Sequence, residues 1–282
     1  MEPEVPTLCF PVQEKTCFAC CPPIRPAGYE HLEYKNIIRR VLRENTEGFG
    51  EGDEGTVSIT GFSCWALGYI DEAHEMVGCL LHPAQNGGVD FRYRVDYGEK
   101  CQREICPEAK VFSELGLYEK KFWLHMVDGL DSFSYSSRRM NPLFNLLGWG
   151  SYLLNLIASE ETDRILTKES FFQRYPFFLT SLSPRANAYL ISRLIREENI
   201  QILRSQPFRS KFEGFSGLIS QRLSRILPKG SEGLYVHLLD FDQDFLDLLR
   251  LSARISRIKR EDAVILKNSV DEETEKFQDR LK

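Results

Sequence analysis

The sequence predicts an α+β chain: a cysteine-rich metal-binding front with short strands over residues 1–130, followed by a mainly α-helical domain over residues 131–282. Three observations carry this. All eight cysteines lie between Cys9 and Cys106, with none in the remaining 176 residues. The first half sets short alternating apolar runs between Gly- and Asn-rich turns, the mark of brief strands. Beyond residue 142, apolar positions recur at three- and four-residue steps between proline-marked breaks, the mark of helices.

Taken in order, PPIRPAG at 22–28 reads as a stiff loop, and 29–45 as a helix with Tyr34, Ile37, Ile38, Val41 and Leu42 on one stripe. The Gly- and acid-rich stretch 46–56 reads as a loop. Short strands are expected at 56–59 and 65–70. Asn86-Gly87-Gly88 marks a turn, and the alternation from Val89 to Val95 predicts a third strand. A helix is expected from Pro107 to about Met126, and the Ser-rich segment Asp131–Asn141 reads as an exposed linker. Helices follow near 142–158, 168–174, 183–205, 213–227 and 240–256, with joints at Pro176, Pro184, Pro207 and Pro228 and a charged helix or tail from Arg257.

A hydrophobic content of 42%, with 12% aromatics, is enough to bury a core. The net charge of −5 argues against a general nucleic-acid binder, because phosphate contacts need a basic surface. Charge is uneven: residues 1–116 hold 11 Lys+Arg against 19 Asp+Glu, and residues 117–282 hold 25 against 22. The longest apolar stretch, Leu143 to Ala158, is shorter than the roughly 20 residues of a spanning helix, so no membrane association is expected. The N-terminus lacks the basic and apolar pattern of a secretory signal, which makes a cytoplasmic location the expectation.

Confinement of the cysteines points to one local task. Disulfides need an oxidising compartment, and the adjacent pair Cys20-Cys21 fits simple disulfide frameworks poorly. Free thiols are good ligands for zinc or iron. Cys17-x2-Cys20, Cys79-x2-His82 and Cys101-x4-Cys106 are three short chelating pairs. Cys17, Cys20, Cys21, Cys79, Cys101 and Cys106 are therefore the candidate metal ligands. Cys64, in Phe-Ser-Cys-Trp, also reads as a packed thiol, Cys9 is a spare, and His82 reads more readily as a turn residue bonded to backbone before Pro83 than as a ligand. Four thiolates would close one structural zinc site. Six or more point instead to an iron–sulfur cluster.

These residues also carry a family resemblance. Cys17-Phe-Ala-Cys-Cys-Pro-Pro23 resembles the opening of the YkgJ-like family of zinc- or iron-chelating cysteine-cluster proteins. Cys64-Trp-Ala-Leu-Gly-Tyr-Ile-Asp71, Gly78-Cys79-Leu-Leu-His82-Pro83 and Cys101-Gln-Arg-Glu-Ile-Cys106-Pro107 resemble its later elements, so that the likeness covers about residues 9 to 110. The opening lacks the family's glycine, and 21 residues separate Cys79 from Cys101. The resemblance implies a ligand set rather than a reaction.

Other motifs carry less. Gly50-x-Gly52-x-x-Gly55 has acids where a pyrophosphate would sit. Asp240-x-Asp242-x-Asp244 lacks the later ligands of a calcium loop and reads as a helix start. Pro22-Pro23 blocks the helix that a Cys17-x-x-Cys20 redox dithiol needs. The expected function is thus metal binding by the front half. Its rivals are a cluster- or thiolate-dependent redox or modifying enzyme, and an interaction module whose helical domain binds another protein.

Overall fold

The computed structural model describes residues 5–11, 14–21, 33–50, 55–60, 63–97, 99, 101, 105–162, 166–226 and 233–281. Residues 22–28, the GxGxxG acids Glu51–Glu54 and Pro228 lie outside the described residues. Among the described residues the chain is mainly helical, with two short antiparallel two-stranded sheets, and it divides into two compact units, 1–144 and 145–282.

In the first unit, α1 (Lys35–Glu47) buries Ile38 and Leu42, four residues apart on one face. It packs on β1 (Leu67–Tyr69), which pairs antiparallel with β2 (Val77–Cys79) in the register Leu67↔Cys79. The approach is close at Gly68, where a Cβ would stand 2.7 Å from the Thr46 hydroxyl. That hydroxyl accepts the Tyr69 N–H at 2.7 Å. The expected strand at 56–59 amounts to one parallel bridge, Val57 with Val95. The expected strand at 89–95 is instead a 3-10 turn over Arg92–Arg94. The Asp90 carboxylate accepts the Arg92 N–H at 3.0 Å, a local bond that competes with extension.

The helix expected over 107–126 breaks at the extended Leu115 and Gly116 into α2 (Pro107–Glu114) and α3 (Leu117–Leu124). The segment read as a linker contains α4 (Ser132–Ser136), capped by Asp131, whose side chain accepts the Ser134 N–H at 2.7 Å. Its Ser132, Phe133, Tyr135 and Ser136 are buried. Serine content suggested solvent exposure, but these hydroxyls serve as internal hydrogen-bond partners.

The division between units falls within α5 (Pro142–Leu147). Gly150, at φ +91, separates α5 from α6 (Ser151–Glu160), where one helix was expected. Then come α7 (Lys168–Arg174), α8 (Pro184–Leu194), a 3-10 stretch Glu197–Arg204 and α9 (Gln206–Ile226). The chain closes with β3 (Leu234–Tyr235), α10 (Gln243–Asp247), β4 (Arg257–Ile258) paired to β3, and α11 (Arg260–Asp279). Asp242 caps α10 by accepting the Asp244 N–H at 2.8 Å, the helix-start role expected of that acidic run. Far from being a free tail, α11 buries Ala263, Leu266, Val270, Thr274 and Phe277. Phe277 stacks on Phe215 of α9 at 4.3 Å. No helix among the described residues is long and apolar enough to cross a membrane.

In the first unit Phe133 packs edge-to-face on Phe18 at 5.3 Å, and both are buried. Phe133→Ala is expected to cost about 3–5 kcal/mol by chemical denaturation. A loss below about 1 kcal/mol would show that this contact does not anchor the segment around Phe18.

Candidate metal centre

The cysteine segments are held from behind. Thr16, 1% exposed, donates its N–H to Ser132 Oγ at 3.2 Å, and its hydroxyl accepts the Val77 N–H at 2.8 Å. Phe18 donates its N–H to Ser136 Oγ at 2.9 Å while its ring enters the core. Between these pins sits Cys17, whose N–H donates to the Cys9 carbonyl at 2.9 Å. The Cys21 N–H donates to the Phe18 carbonyl at 3.1 Å, closing a turn that carries Cys17, Cys20 and Cys21. Tyr135 holds the Cys9 segment by donating its hydroxyl to the Leu8 carbonyl at 3.0 Å.

The later cysteines are fixed by equally local bonds. The Cys64 carbonyl accepts the Leu67 N–H at 3.0 Å and the Asn45 amide at 3.0 Å. Cys79 ends β2, and its carbonyl accepts the His82 N–H at 3.0 Å. Arg92, clamped by Asp90 at 2.9 and 2.8 Å, donates to the Cys101 carbonyl at 2.8 Å. Cys106 is the N-cap of α2, with its sulfur 3.4 Å from the Ala109 N–H. Beside it, buried Glu108 accepts two hydrogen bonds from Arg138, at 2.6 and 3.1 Å.

All six candidate ligands line one cavity of about 380 Å³, together with Cys9, Cys64, His82 and Arg92. No disulfide joins any of the eight cysteines. Cys64 has both characters considered for it: it is buried in the apolar core and also faces the cavity. His82 is a turn residue, since its Nδ1 accepts the Ala84 N–H at 3.2 Å and caps the 3-10 turn Pro83–Gln85. An accepting Nδ1 leaves the ring proton on Nε2, and burial and the Arg92 charge hold the imidazole pKa down.

Burial dominates the electrostatics. It pushes Cys9 up to about 11 and Cys64 and Cys106 up to about 12, and it raises Cys17 and Cys79 as well. A hydrogen bond with Cys20, then burial, raises Cys21. These six thiols are therefore neutral near pH 7, and a ligand that needs them as thiolates must displace their protons.

Among the described residues, no three His, Cys, Asp or Glu side chains are grouped to hold a single metal ion as they stand. The donor chemistry suits a larger thiolate-bound group: eight sulfurs surround a space far above the roughly 30 Å³ of one water. Neither models of known protein families, nor curated proteins, nor solved structures yield a match to this chain, so the YkgJ-like resemblance rests on the motifs quoted above.

Sequence reasoning missed the supports, namely Thr16, Ser132, Ser136, Tyr135 and the Asp90–Arg92 clamp. The one available signal was the four-residue spacing of Ser132 and Ser136, which puts both hydroxyls on one helical face.

The thiol shifts set a pH dependence. The folded pKa of Cys64 and Cys106 lies above the ordinary value of 9.0, so the stabilisation is complete below pH 9 and is lost as pH rises toward 12. The melting temperature of metal-free protein is expected to fall between about pH 8 and pH 10.5, and to fall less in Cys64→Val. Identical pH profiles for the two proteins would refute burial of a neutral Cys64 thiol.

Proposed function

We propose that the first unit is an iron–sulfur protein module, with Cys17, Cys20, Cys21, Cys79, Cys101 and Cys106 among the ligands. The observation that carries the reading is the convergence of every cysteine in the chain on one cavity. Thiols drawn from five separate stretches between Cys9 and Cys106 share that wall, although most of them are held neutral there. A bound metal group offsets this, because metal–thiolate bonds replace the protons and cross-link segments that are far apart in the chain. Iron is preferred to zinc because a cavity of about 380 Å³ has room for a multi-atom cluster, whereas a tetrathiolate zinc site closes its four sulfurs around one ion.

When bound, such a cluster would supply one-electron chemistry or a structural cross-link. This chain's own part is to hold the thiols, exclude water with the apolar wall, and set a cation beside the sulfurs. Arg92 is that cation: its charge interacts with Cys79 and Cys101. The reading puts the chain in the reducing cytoplasm, where free thiols persist. It leaves the helical unit, which contributes no cysteine, for a protein partner or substrate. The motif resemblance to YkgJ-like proteins points the same way.

Anaerobically purified or reconstituted protein is expected to contain iron and acid-labile sulfide and to absorb broadly in the visible. Loading should release protons and tighten with rising pH, since every resolved thiol shift is upward. Cys17→Ser with Cys20→Ser should lose metal and stability together. Zinc without iron would replace the cluster with a zinc site, and a metal-free, chelator-indifferent protein would end the metal reading.

A further inference from the structure

We infer that the helical unit carries a binding surface for single-stranded nucleic acid on the exposed face of the β3–β4 hairpin. Tyr235, His237 and Arg257 offer a stacking platform for a base, and Arg254, Lys259 and Arg260 join Arg257 in holding phosphates. The inference concerns the unit without cysteines and stands apart from the cluster reading.

The platform is built from contacts across the hairpin. β3 and β4 pair antiparallel with Tyr235 opposite Arg257, so the two side chains stand on one face. The Arg257 guanidinium lies over the Tyr235 ring at 4.1 Å and donates to its hydroxyl at 2.6 Å. The His237 ring stacks on Tyr235 in turn, with centroids 5.5 Å apart and planes 29° apart. Tyr235 is 45% exposed, and His237 and Arg257 are exposed as well. Behind this open stack Val236 and Ile258 are buried, which seats the hairpin on the core of its unit.

The cations come from one stretch. Residues 248–260, LLRLSARISRIKR, hold five Lys+Arg and no Asp or Glu. Arg250 is engaged by Asp247 at 2.9 Å. Arg254, Lys259 and Arg260 are exposed and make no ion pair among the described residues. Arg254 has a left-handed backbone, φ +58, which a non-glycine residue adopts only at a cost. The turn is held on both sides, by the Ala253 N–H on the Leu248 carbonyl and the Ile255 N–H on the Leu249 carbonyl. Lys259 is extended, at φ −74 and ψ 147, which returns its side chain to the face of Arg257.

The combination selects the partner. Acidic protein side chains or lipid headgroups would satisfy the cations but bring no flat group to the stack. A phosphate chain with unpaired bases satisfies both, since bases stack on aromatic rings and on guanidinium planes. A duplex keeps its bases stacked on one another, so the platform suits a single strand. The net charge of −5 argues against a general binder, but it does not reach this patch. Exposed charges farther away than about 8 Å are largely screened at physiological salt, and the unit that carries the hairpin lies in the half with 25 Lys+Arg against 22 Asp+Glu.

The test is fluorescence anisotropy of the full chain with labelled oligo-dT and oligo-rU of about 12 nucleotides. Binding should weaken about fiftyfold from about 50 to about 200 mM salt, because four contacted phosphates give a logarithmic slope of about −3 on a single strand. Lys259→Gln with Arg260→Gln should cut that slope to about half. At fixed salt, Tyr235→Leu and His237→Ala should each weaken binding about tenfold, whereas Tyr235→Phe, which keeps the ring, should stay within about twofold of wild type. Melting curves check that each variant folds; if Tyr235→Leu does not, His237→Ala at its exposed position carries the stacking test. A wild type that binds neither oligonucleotide would overturn the inference. So would equal affinity for duplex and single strand, or folded Tyr235→Leu and His237→Ala variants that bind like wild type, since either outcome leaves polyanion attraction alone. Binding to phosphatidylserine vesicles or to poly-glutamate in place of the oligonucleotides would assign the surface to lipid or to acidic protein and overturn it as well. None of these outcomes bears on the metal content of the first unit.

Discussion

Thr16 is the constraint on which the first unit depends. Its hydroxyl accepts from Val77 on β2, and its amide donates to Ser132 on α4. Three segments far apart in the chain therefore meet at one buried residue. Cys17 follows it directly, and Cys79 lies two residues beyond Val77, so this pair of bonds sets where two cysteine segments stand relative to each other. Phe18 completes the anchor: its ring is buried against Phe133 and its amide is satisfied by Ser136. A loop held at two consecutive alternate positions presents the intervening side chain in a defined direction, and that side chain is Cys17.

The same arrangement explains how so many thiols can share one largely apolar wall. A neutral thiol behaves as a small apolar group, so it can line a core at little cost, whereas a thiolate there is strongly disfavoured. The first unit gathers such groups along one wall, most of them half-buried, with Cys64 packed in the apolar core. The price appears only when the thiols must ionise, which couples metal binding to proton release. Two ion pairs stand beside the site: Asp90 with Arg92, and Glu108 with Arg138.

The second unit is stabilised by other means. Trp149, Phe177 and Phe212 form a buried aromatic group, with Trp149 and Phe177 centred 5.0 Å apart. Glu161 is buried but accepts from Arg174, Arg204 and the Tyr175 hydroxyl, each at 2.6 Å. These bonds hold its carboxyl below the usual range despite burial, which favours the opposite shift. Asp247 is clamped by Arg185 at 2.6 Å and Arg250 at 2.9 Å. With an aromatic core and paired charges, this unit has no structural need of the thiol chemistry that marks the first.

The sequence by itself determined the two-part character of the chain, the confinement of cysteines to the front, and most of the helices behind, because those follow from residue counts and a 3.6-residue period. It also singled out the closely spaced cysteine pairs as candidate ligands, since a C-x2-C spacing is local. Only the tertiary structure decided that Cys9 and Cys64 share a wall with the other six, that His82 spends its Nδ1 on a backbone amide, and that Ser132 and Ser136 are internal supports. The strand expected at 89–95 was lost to the Asp90 side chain, which captures the backbone first. The physical reason is common to all of these. Periodicity reports which face of an element is apolar, but which distant residues meet across a cavity depends on long-range contacts that no local pattern encodes.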